Sequence, residues 1–513
     1  MQDAPPGSQA APSLAGRAAL AVSLMIGFYG LAIVIAGSLV VAGVLLLTQE
    51  RRVPGNAHLA LFLVGSGVSI LWAILPRFDR FVAPGPELAR ADHPRLFQRI
   101  EKIALATGQE MPESVYLVPD VNAWVSRRGG FMGFGSRPIL GLGLPLLATM
   151  STAEVEAVLA HEFGHFHGGE TKLGPWIHKT RAAIGRTIAM LQQRRRSYLR
   201  LPFVLYGNLF LRLTHAVSRR QEYAADALAA KMVGARPLAS GLRRIQAVAM
   251  AYDAFLQQEI GPAVAAGYRL PMAEGFFRFV GAAPVAASLE RAVEARSRES
   301  TASAYDTHPP LRDRLAALGP LPDEVPGEQS GRAIELIERV ADVEERLLGW
   351  MIRGKPAANL RPLAWEAAGA TVWVPSWRRF CAENAAVLRE RTPETLPTTR
   401  ADLLAVGHEI ARSQPARDEA TFLREANGLL GSALVLALLD SGWSLTADPG
   451  AEVEVTKGDA RIRPFTVVTE LAAGRLAKAE WLDACSRTGI GSLPLEPAAP
   501  PIASVDGARS SAG

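Results

Sequence analysis

The sequence predicts a mainly helical protein with a small β-sheet, two membrane-spanning helices near its N-terminus and an α+β region near its C-terminus. Two long apolar runs fill most of the first 76 residues, and hydrophobic residues make up 49% of the whole chain. Segments with strand character are short and lie between residues 114 and 142. From residue 151 to about residue 350, helical patterns dominate the sequence.

The two apolar runs cover residues 19–47 and 58–76. A membrane-spanning helix needs about 20 such residues, so both runs are long enough. The second run has no Asp, Glu, Lys or Arg and ends with Trp72 close to Arg77, which is typical of a membrane interface. A cleaved signal peptide is the alternative for the first run, but the run is too long and no small-residue cleavage site follows it.

The arginines that flank the runs indicate an orientation. With two spans, Arg17, Arg77 and Arg80 lie on one side of the membrane, and Arg51 and Arg52 lie on the other. Because an excess of Lys and Arg marks the cytoplasmic side, we expect the large domain after the spans in the cytoplasm. The chain is thus expected to be a multi-pass membrane protein.

Turn and capping signals place the first elements after the spans. A helix is expected from about Pro94 to Thr107, where Gly108 ends it. Three strands are expected at Ser114–Val118, Ala123–Val125 and Ile139–Leu142. A hairpin is expected near the C-terminus, because Val453 and Val455 alternate with acids before the turn Lys457-Gly458-Asp459, and Ile462 lies on the return strand.

Composition shifts divide the chain into five segments. The tails are rich in Pro, Ala, Gly and Ser, which is typical of disordered ends. The segments are a flexible tail at 1–18, two membrane helices at 19–76, a main domain at 77–320, an accessory region at 321–493 and a disordered tail at 494–513.

Charge and cysteine content exclude some classes of protein. The formal net charge is +5, but no basic stripe interleaved with aromatic residues is present, so nucleic-acid binding is not expected. A lipid bilayer explains the clustered arginines better. The two cysteines, Cys381 and Cys485, are far apart and do not form a disulfide framework. The sequence leaves the oligomeric state open.

The motif His161-Glu162-Phe163-Gly164-His165 has the spacing of a metal site. Ser151 and Glu154 form a capping-box pattern ahead of it, so the motif is expected on a helix. Two histidines four residues apart lie on one helical face and can bind one ion. Glu162 can reach a water on that ion without being a ligand, as a general base must. The alternative is a polar helix with two surface histidines.

A third ligand is needed, and the best candidate is Glu222 in the stretch SRRQEYAADALAAKMVG. Asp226 follows four residues later on the same helical face, where it could orient a ligand histidine by accepting its hydrogen bond. Taken alone, the two acids are more simply a solvated pair beside Arg219 and Arg220. Their combination with HEFGH favours the metal site.

HEFGH followed by EYAAD resembles the zinc peptidases that include the HtpX-like proteases and the CAAX prenyl proteases. The stretches VYLVPDVNAWV, LATMSTAEVEAVLAHEFGHF and DTHPPLRDRLAAL also resemble segments of this family. The similar region runs from about residue 93 to residue 318. The resemblance implies a zincin-like metallopeptidase domain of the gluzincin type and a hydrolase activity.

The resemblance also implies a role for individual residues. One Zn²⁺ ion would be bound by His161, His165 and Glu222, with Glu162 as the catalytic base and Asp226 behind the ligands. By the same resemblance, His308 and Arg314 would approach the oxyanion, for which cationic donors are chemically suited. A polypeptide substrate would pair with the edge strand at Asn122, Ala123, Trp124 and Val125.

These expectations describe a membrane-anchored zinc endopeptidase, with membrane-protein quality control as one role. The alternative is a zinc-stabilised protein that binds polypeptides or senses the membrane without proteolysis. HtpX-like members usually carry two further spans between HEXXH and the glutamate helix, whereas residues 176–217 here contain several arginines. This segment is either an amphipathic hairpin at the membrane surface or an ordinary helical pair with a solvated arginine face.

Overall fold

A computed structural model describes most of the chain, namely residues 14–48, 56–75, 81–128, 137–165, 174–193, 197–299, 309–323, 331–353, 359–410 and 418–497. The fold is mainly helical with small sheets, as the sequence predicts. His308 lies outside the described residues, as do residues 1–13 and 498–513 of the two predicted tails.

The elements follow one another in this order. The α-helices are α1 (Leu14–Thr48), α2 (Asn56–Ile74), α3 (Pro94–Thr107), α4 (Leu144–Thr149), α5 (Thr152–Gly164), α6 (Gly174–Gln193), α7 (Ser197–Val233), α8 (Ala235–Phe255), α9 (Gly261–Ala265), α10 (Met272–Gly281), α11 (Ala283–Glu299), α12 (Leu311–Leu318), α13 (Val340–Met351), α14 (Trp365–Ala368), α15 (Val374–Glu383), α16 (Ala385–Leu388), α17 (Arg400–Ile410), α18 (Glu419–Asp440), α19 (Pro464–Ala472) and α20 (Lys478–Thr488). The strands are β1 (Glu87–Leu88), β2 (Ser114–Val118), β3 (Ala123–Arg128), β4 (Arg137–Gly143), β5 (Tyr268–Arg269), β6 (Arg361–Pro362), β7 (Ser444–Thr446), β8 (Glu454–Lys457) and β9 (Ala460–Ile462).

The chain folds into two compact units. The first comprises residues 1–246 and 292–340, and the second comprises residues 247–291 and 341–513. Each unit therefore draws on two separate stretches of sequence.

In the first unit, α1 and α2 are long and apolar enough to cross a membrane. The two helices approach closely because each carries glycine at the contact. A Cβ atom on Gly67 would lie 2.6 Å from the carbonyl oxygen of Ala36, and one on Gly43 would lie 2.9 Å from that of Ala60. Small residues at such contacts let helix backbones pack closely in a bilayer, where dispersion rather than hydrophobic burial drives association.

Helices α6 and α7 pack against this pair. Phe28 of α1 is fully buried against Phe203 and Tyr206 of α7, and the Tyr206 hydroxyl donates a 2.6 Å hydrogen bond to the Leu24 carbonyl. Ile184 of α6 lies in the same apolar cluster. The α6–α7 pair thus packs directly on the two helices that are apolar enough to cross a membrane.

A four-stranded sheet in the order β1-β2-β4-β3 completes the first unit. Strand β2 has the predicted bounds, whereas β3 and β4 extend beyond theirs. Strand β3 is an edge strand, because it pairs with β4 alone among the described strands. Helix α3 also has the predicted bounds, and Gly108 ends it in a left-handed conformation with φ of 66°. This sheet edge is the one that faces the candidate site.

The second unit has its own core around α18. This helix is apolar enough to span a membrane, but ten of its 22 residues are buried, and it packs against α15, α17 and α19. The predicted hairpin is confirmed as β8 and β9, with Gly458 at a φ of 59° in the turn, and β7 adds a third strand. Cys381 and Cys485 are free and buried in this core.

The buried carboxyl group of Glu344 in α13 lies against the start of α10, and we expect it to make the stability of the second unit depend on pH. Glu344 accepts hydrogen bonds from the backbone N–H groups of Met272 (3.2 Å) and Ala273 (2.6 Å). Burial raises the pKa of Glu344 from 4.5 to about 7, although the two hydrogen bonds favour the charged form. Between these values the folded state binds more protons than the unfolded state.

We therefore expect the free energy of unfolding to fall by about 3 kcal/mol as pH rises from 4.5 to above 7. The variant Glu344→Gln should lose this pH dependence, because the amide stays neutral. Urea unfolding of the detergent-solubilised chain at pH 5 and pH 8 measures it, with the exposed Glu383→Gln as control. An unchanged pH slope in Glu344→Gln would contradict the assignment.

Candidate metal centre and active site

The helix that carries HEFGH starts at a complete capping box. The Ser151 hydroxyl accepts a hydrogen bond from the Glu154 backbone N–H (3.2 Å), and the Ser151 N–H donates to the Glu154 carboxylate (2.8 Å). Ser240 of α8 donates to the other carboxylate oxygen of Glu154. Helix α5 ends at Gly164, so His161 lies in its last turn and His165 is the C-cap in helical conformation. The capping box thus fixes the start of α5 and ties it to α8.

Helix α7 brings Glu222 to the two histidines. A Cβ atom on Gly164 would lie 3.1 Å from the Ala225 Cα, so only a residue without a side chain leaves room for this approach of α5 and α7. Glu222 is then 3.6 Å from His161 Nε2 through one oxygen and 3.6 Å from His165 Nε2 through the other. The three ligand atoms lie within 4.8 Å of one another. They could therefore hold one metal ion.

Asp226 orients His161, the first of the two histidines. Its carboxylate is 2.9 Å from His161 Nδ1, closer than the Arg314 nitrogen at 3.4 Å, so the Nδ1–H donates to Asp226. A histidine whose Nδ1 carries the proton presents the lone pair of Nε2. This lone pair points to the side where Glu222 lies, which fits a metal ligand.

Arg314 of α12 completes this buried group. Its Nε donates to one oxygen of Asp226 (2.8 Å) and its Nη2 donates to the other (2.6 Å). Burial opposes ionisation of Asp226, but the hydrogen bonds from Arg314 and His161 outweigh it and hold the pKa of the carboxyl at about 2. The pKa of Arg314 is raised despite its burial, because it lies beside Asp226 and Glu222. Both groups are thus charged over the whole physiological range.

The predicted site residues are therefore largely brought together. His161, His165, Glu222, Asp226 and Arg314 form one cluster. Arg314, expected at the oxyanion, is held by Asp226 with two hydrogen bonds, and its remaining nitrogen Nη1 lies 3.9 Å from Glu222. The structure does not describe His308, and its expected role stays a prediction.

A cleft of 210 Å³ opens beside the cluster. Of the predicted substrate-binding residues, Asn122 and Ala123 line it, whereas Trp124 packs over Gly141 of the neighbouring strand and Val125 is not among the lining residues. The lining residues are Asn122, Ala123, Val158, His161, Glu162, Leu238, Leu242, Ile245, Gln246, Pro309, Leu311 and Arg314. Glu162 thus faces the same space as the candidate ligand His161.

Helix α8 contributes a wall of the cleft that the sequence did not predict. Leu238, Leu242 and Ile245 recur with helical spacing, which is equally typical of residues in an ordinary core. The hydrogen bond from Ser240 to Glu154 and the approach of Gly241 to Val158 show that α8 lies against α5. No local signal in the sequence distinguishes the two cases.

Comparison with known proteins agrees with this geometry. Residues 90–320 match the model of the family described as Peptidase family M48. This part of the chain is an M48 peptidase domain. The predicted similarity to HtpX-like zinc metallopeptidases is thereby confirmed.

Several curated relatives are similar over this domain. A protein named Protease HtpX homolog from Tropheryma whipplei (strain Twist) is 27% identical over 249 residues, which are 45% of this chain and 74% of the relative. A homolog from Neisseria meningitidis serogroup B (strain ATCC BAA-335 / MC58) is 29% identical over 205 residues, 36% of this chain and 71% of the relative. Protease HtpX of Idiomarina loihiensis is 29% identical over 167 residues, 29% of this chain and 56% of the relative. No solved structure matches. With its apolar helices, the chain is a membrane protein that carries a peptidase domain.

The cluster predicts how metal binding responds to substitution. Glu222→Ala should abolish binding of a divalent ion, because it removes one of three ligands. Asp226→Asn should weaken it about 10- to 100-fold, since it weakens the hydrogen bond that orients His161 but leaves all three candidate ligands in place. Competition with a chromogenic chelator measures both affinities.

Glu162→Gln serves as the control, because Glu162 faces the cleft without being a ligand. Its metal affinity should stay close to that of the wild type. Undiminished affinity in Glu222→Ala would contradict the assigned ligand set.

Proposed function

We propose that the protein is a membrane-anchored zinc-dependent endopeptidase that hydrolyses peptide bonds of polypeptides. The observation that carries the proposal is the convergence of His161, His165 and Glu222 beside a cleft that Glu162 also lines. Two imidazoles and a carboxylate suit zinc, and three protein ligands leave the open position that catalytic zinc requires.

The residues of the chain would divide the chemistry among them. A bound zinc ion would supply the Lewis acidity that lowers the pKa of water and polarises a carbonyl. Glu162 takes the proton of the attacking water and returns it to the leaving nitrogen. Asp226 and Arg314 position His161. We retain His308 and the Arg314 Nη1 as candidate donors to the oxyanion.

The substrate would add as a strand along β3. This edge strand has only β4 as a partner among the described strands, and its first residue, Ala123, lies in the wall of the cleft with Asn122. Main-chain hydrogen bonds to an edge strand bind extended peptides without regard to sequence. Trp124 and Val125 would therefore contribute backbone rather than side-chain contacts.

The cleft wall favours an apolar side chain of the substrate. Val158, Leu238, Leu242 and Ile245 line the cleft together with the charged residues. Apolar side chains are abundant in membrane-protein segments, and the anchoring helices would hold the protease beside them. These features support a role in membrane-protein quality control.

The remaining assignments follow from the sequence and are part of the proposal. We place the protein in a bacterial inner membrane as a multi-pass protein with its peptidase domain in the cytoplasm, because Arg17, Arg77 and Arg80 would lie on that side. The peptidase domain would comprise residues 77–320 and the accessory region residues 321–493.

Replacement of the base tests the mechanism. Glu162→Gln should lower kcat/KM for a casein-derived peptide by about 10²- to 10⁴-fold, because the amide cannot accept the proton of water. The zinc content should stay at one ion per chain, as measured by elemental analysis of the same sample. Wild-type turnover in this variant would favour a different mechanism, and zinc-dependent peptide binding without turnover by the wild type would favour the non-proteolytic alternative.

The apolar wall predicts specificity. Leu242→Ala should shift the ratio of kcat/KM values for peptides with Phe and Leu next to the scissile bond about tenfold toward Phe, because the pocket is enlarged by several carbon atoms. A peptide library measures this ratio independently of the amount of active enzyme.

Leu403→Ala is the matched control, since Leu403 is buried in the other unit. It should leave the ratio unchanged even if it destabilises the protein. An unchanged ratio in Leu242→Ala would show that this wall does not contact the substrate.

A further inference from the structure

Helix α6 and the first part of α7 have an unusual charge balance. Residues 174–193 and 197–217 contain five Lys or Arg residues and no Asp or Glu, although the whole chain has 50 acidic against 55 basic residues. An ordinary solvated helix pair carries both signs, interspersed. An acid-free pair is suited to an anionic partner.

The same helices expose an apolar stripe. Leu201, Leu205 and Leu209 follow one another at four-residue intervals, so they share one face of α7, and they are 59%, 60% and 47% exposed. The opposite face is buried, because Phe203 and Phe210 pack into the cluster with α1 and α6. The exposed leucines are therefore not required for packing within the described part of the unit.

Arginines flank this stripe. Arg200 precedes Leu201 and is partly exposed, and Arg212 lies one turn beyond Leu209 on the leucine face and is exposed. Neither arginine forms an ion pair within 4 Å of an acidic group of the described residues. We call Leu201, Leu205, Leu209, Arg200 and Arg212 the hairpin surface.

Helix α6 of the hairpin contacts the end of α2. Arg186 of α6 donates a 3.5 Å hydrogen bond to the carbonyl of Ala73, one residue before the end of α2. Trp72 in the same turn of α2 is 62% exposed, as is typical of tryptophan at the boundary between lipid tails and headgroups. The hairpin surface is thus continuous with helices that already enter the bilayer.

We infer that the hairpin surface docks on anionic phospholipids of the membrane that anchors the chain. The three leucines enter the upper acyl region, and Arg200 and Arg212 bind lipid phosphates. Leucines beside arginines without acids are the pattern by which amphipathic helices bind anionic lipid surfaces. This inference does not depend on the proposed catalysis.

A fluorescent label on the leucine face tests the inference. Leu205→Cys is labelled with an environment-sensitive fluorophore, while the native Cys381 and Cys485 are fully buried and should stay unlabelled. The full chain is placed in nanodiscs of phosphatidylcholine alone or with about one-third phosphatidylglycerol. Lys478→Cys, which is exposed in the other unit, reports a water-exposed label.

The label on Leu205→Cys should be blue-shifted and shielded from a water-soluble quencher in the anionic discs, and much less so in the neutral discs. Each arginine should contribute about fivefold to the docked-to-undocked ratio, so Arg200→Gln with Arg212→Gln should lower it roughly 25-fold. The double variant Arg379→Gln with Arg389→Gln removes the same charge from exposed positions elsewhere and should leave it unchanged. High salt should weaken the docking.

Three results would overturn the inference. A label exposed to water in both discs would show that the hairpin does not dock. Equal shielding in both discs would show insertion or burial without regard to headgroup charge. An unchanged ratio in the Arg200 and Arg212 double variant would show that these arginines do not bind the lipid. A label on Leu209→Cys repeats the test if Leu205→Cys does not fold.

Discussion

The buried carboxylate of Asp226 is the contact on which the peptidase domain depends most. It joins three helices, because His161 comes from α5, Arg314 from α12 and Asp226 itself from α7. An isolated buried carboxylate costs several kcal/mol, and only well-placed partners offset this cost. Loss of Arg314 would therefore leave an uncompensated charge against the ligand His161. The arrangement that orients the candidate metal ligand is also the one that holds the helices together.

The second constraint is the close contact of α5 and α7. Gly164 and Ala225 leave so little space that a side chain on Gly164 would require the backbone of α7 to shift by a few tenths of an ångström. Such a shift would separate Glu222 from the histidines, whose ring nitrogens are only 3.6 Å from it. The small residues at this contact are therefore needed to keep Glu222 close to the two histidines.

The first unit contains the two apolar helices, the hairpin that we infer to dock on lipid, and the cleft. Helices α1 and α2, the α6–α7 pair and the candidate metal centre all belong to it. Helix α7 is the link, because its first half packs on Phe28 of α1 and its second half carries Glu222 and Asp226. A change in the inferred docking of the hairpin would therefore act on the helix that carries the candidate ligand Glu222. The second unit, with α18 in its own core, has no counterpart of this arrangement among the described residues.

The sequence by itself determined the features that depend on local spacing. The bounds of α3 and β2, the capping box of α5 and the shared face of Glu222 and Asp226 follow from residues a few positions apart, whose directions the helix or strand period fixes. The family motifs added the expected ligands.

Only the tertiary structure decided which faces meet. Arg314 lies 153 residues from His161, and its two hydrogen bonds to Asp226 could not be read from either segment. The α8 wall of the cleft, the packing of the α6–α7 pair on α1 and the grouping of residues 247–291 with the second unit have the same origin. Periodicity shows that a face is apolar, but the identity of its partner depends on contacts between distant segments, which no local pattern encodes.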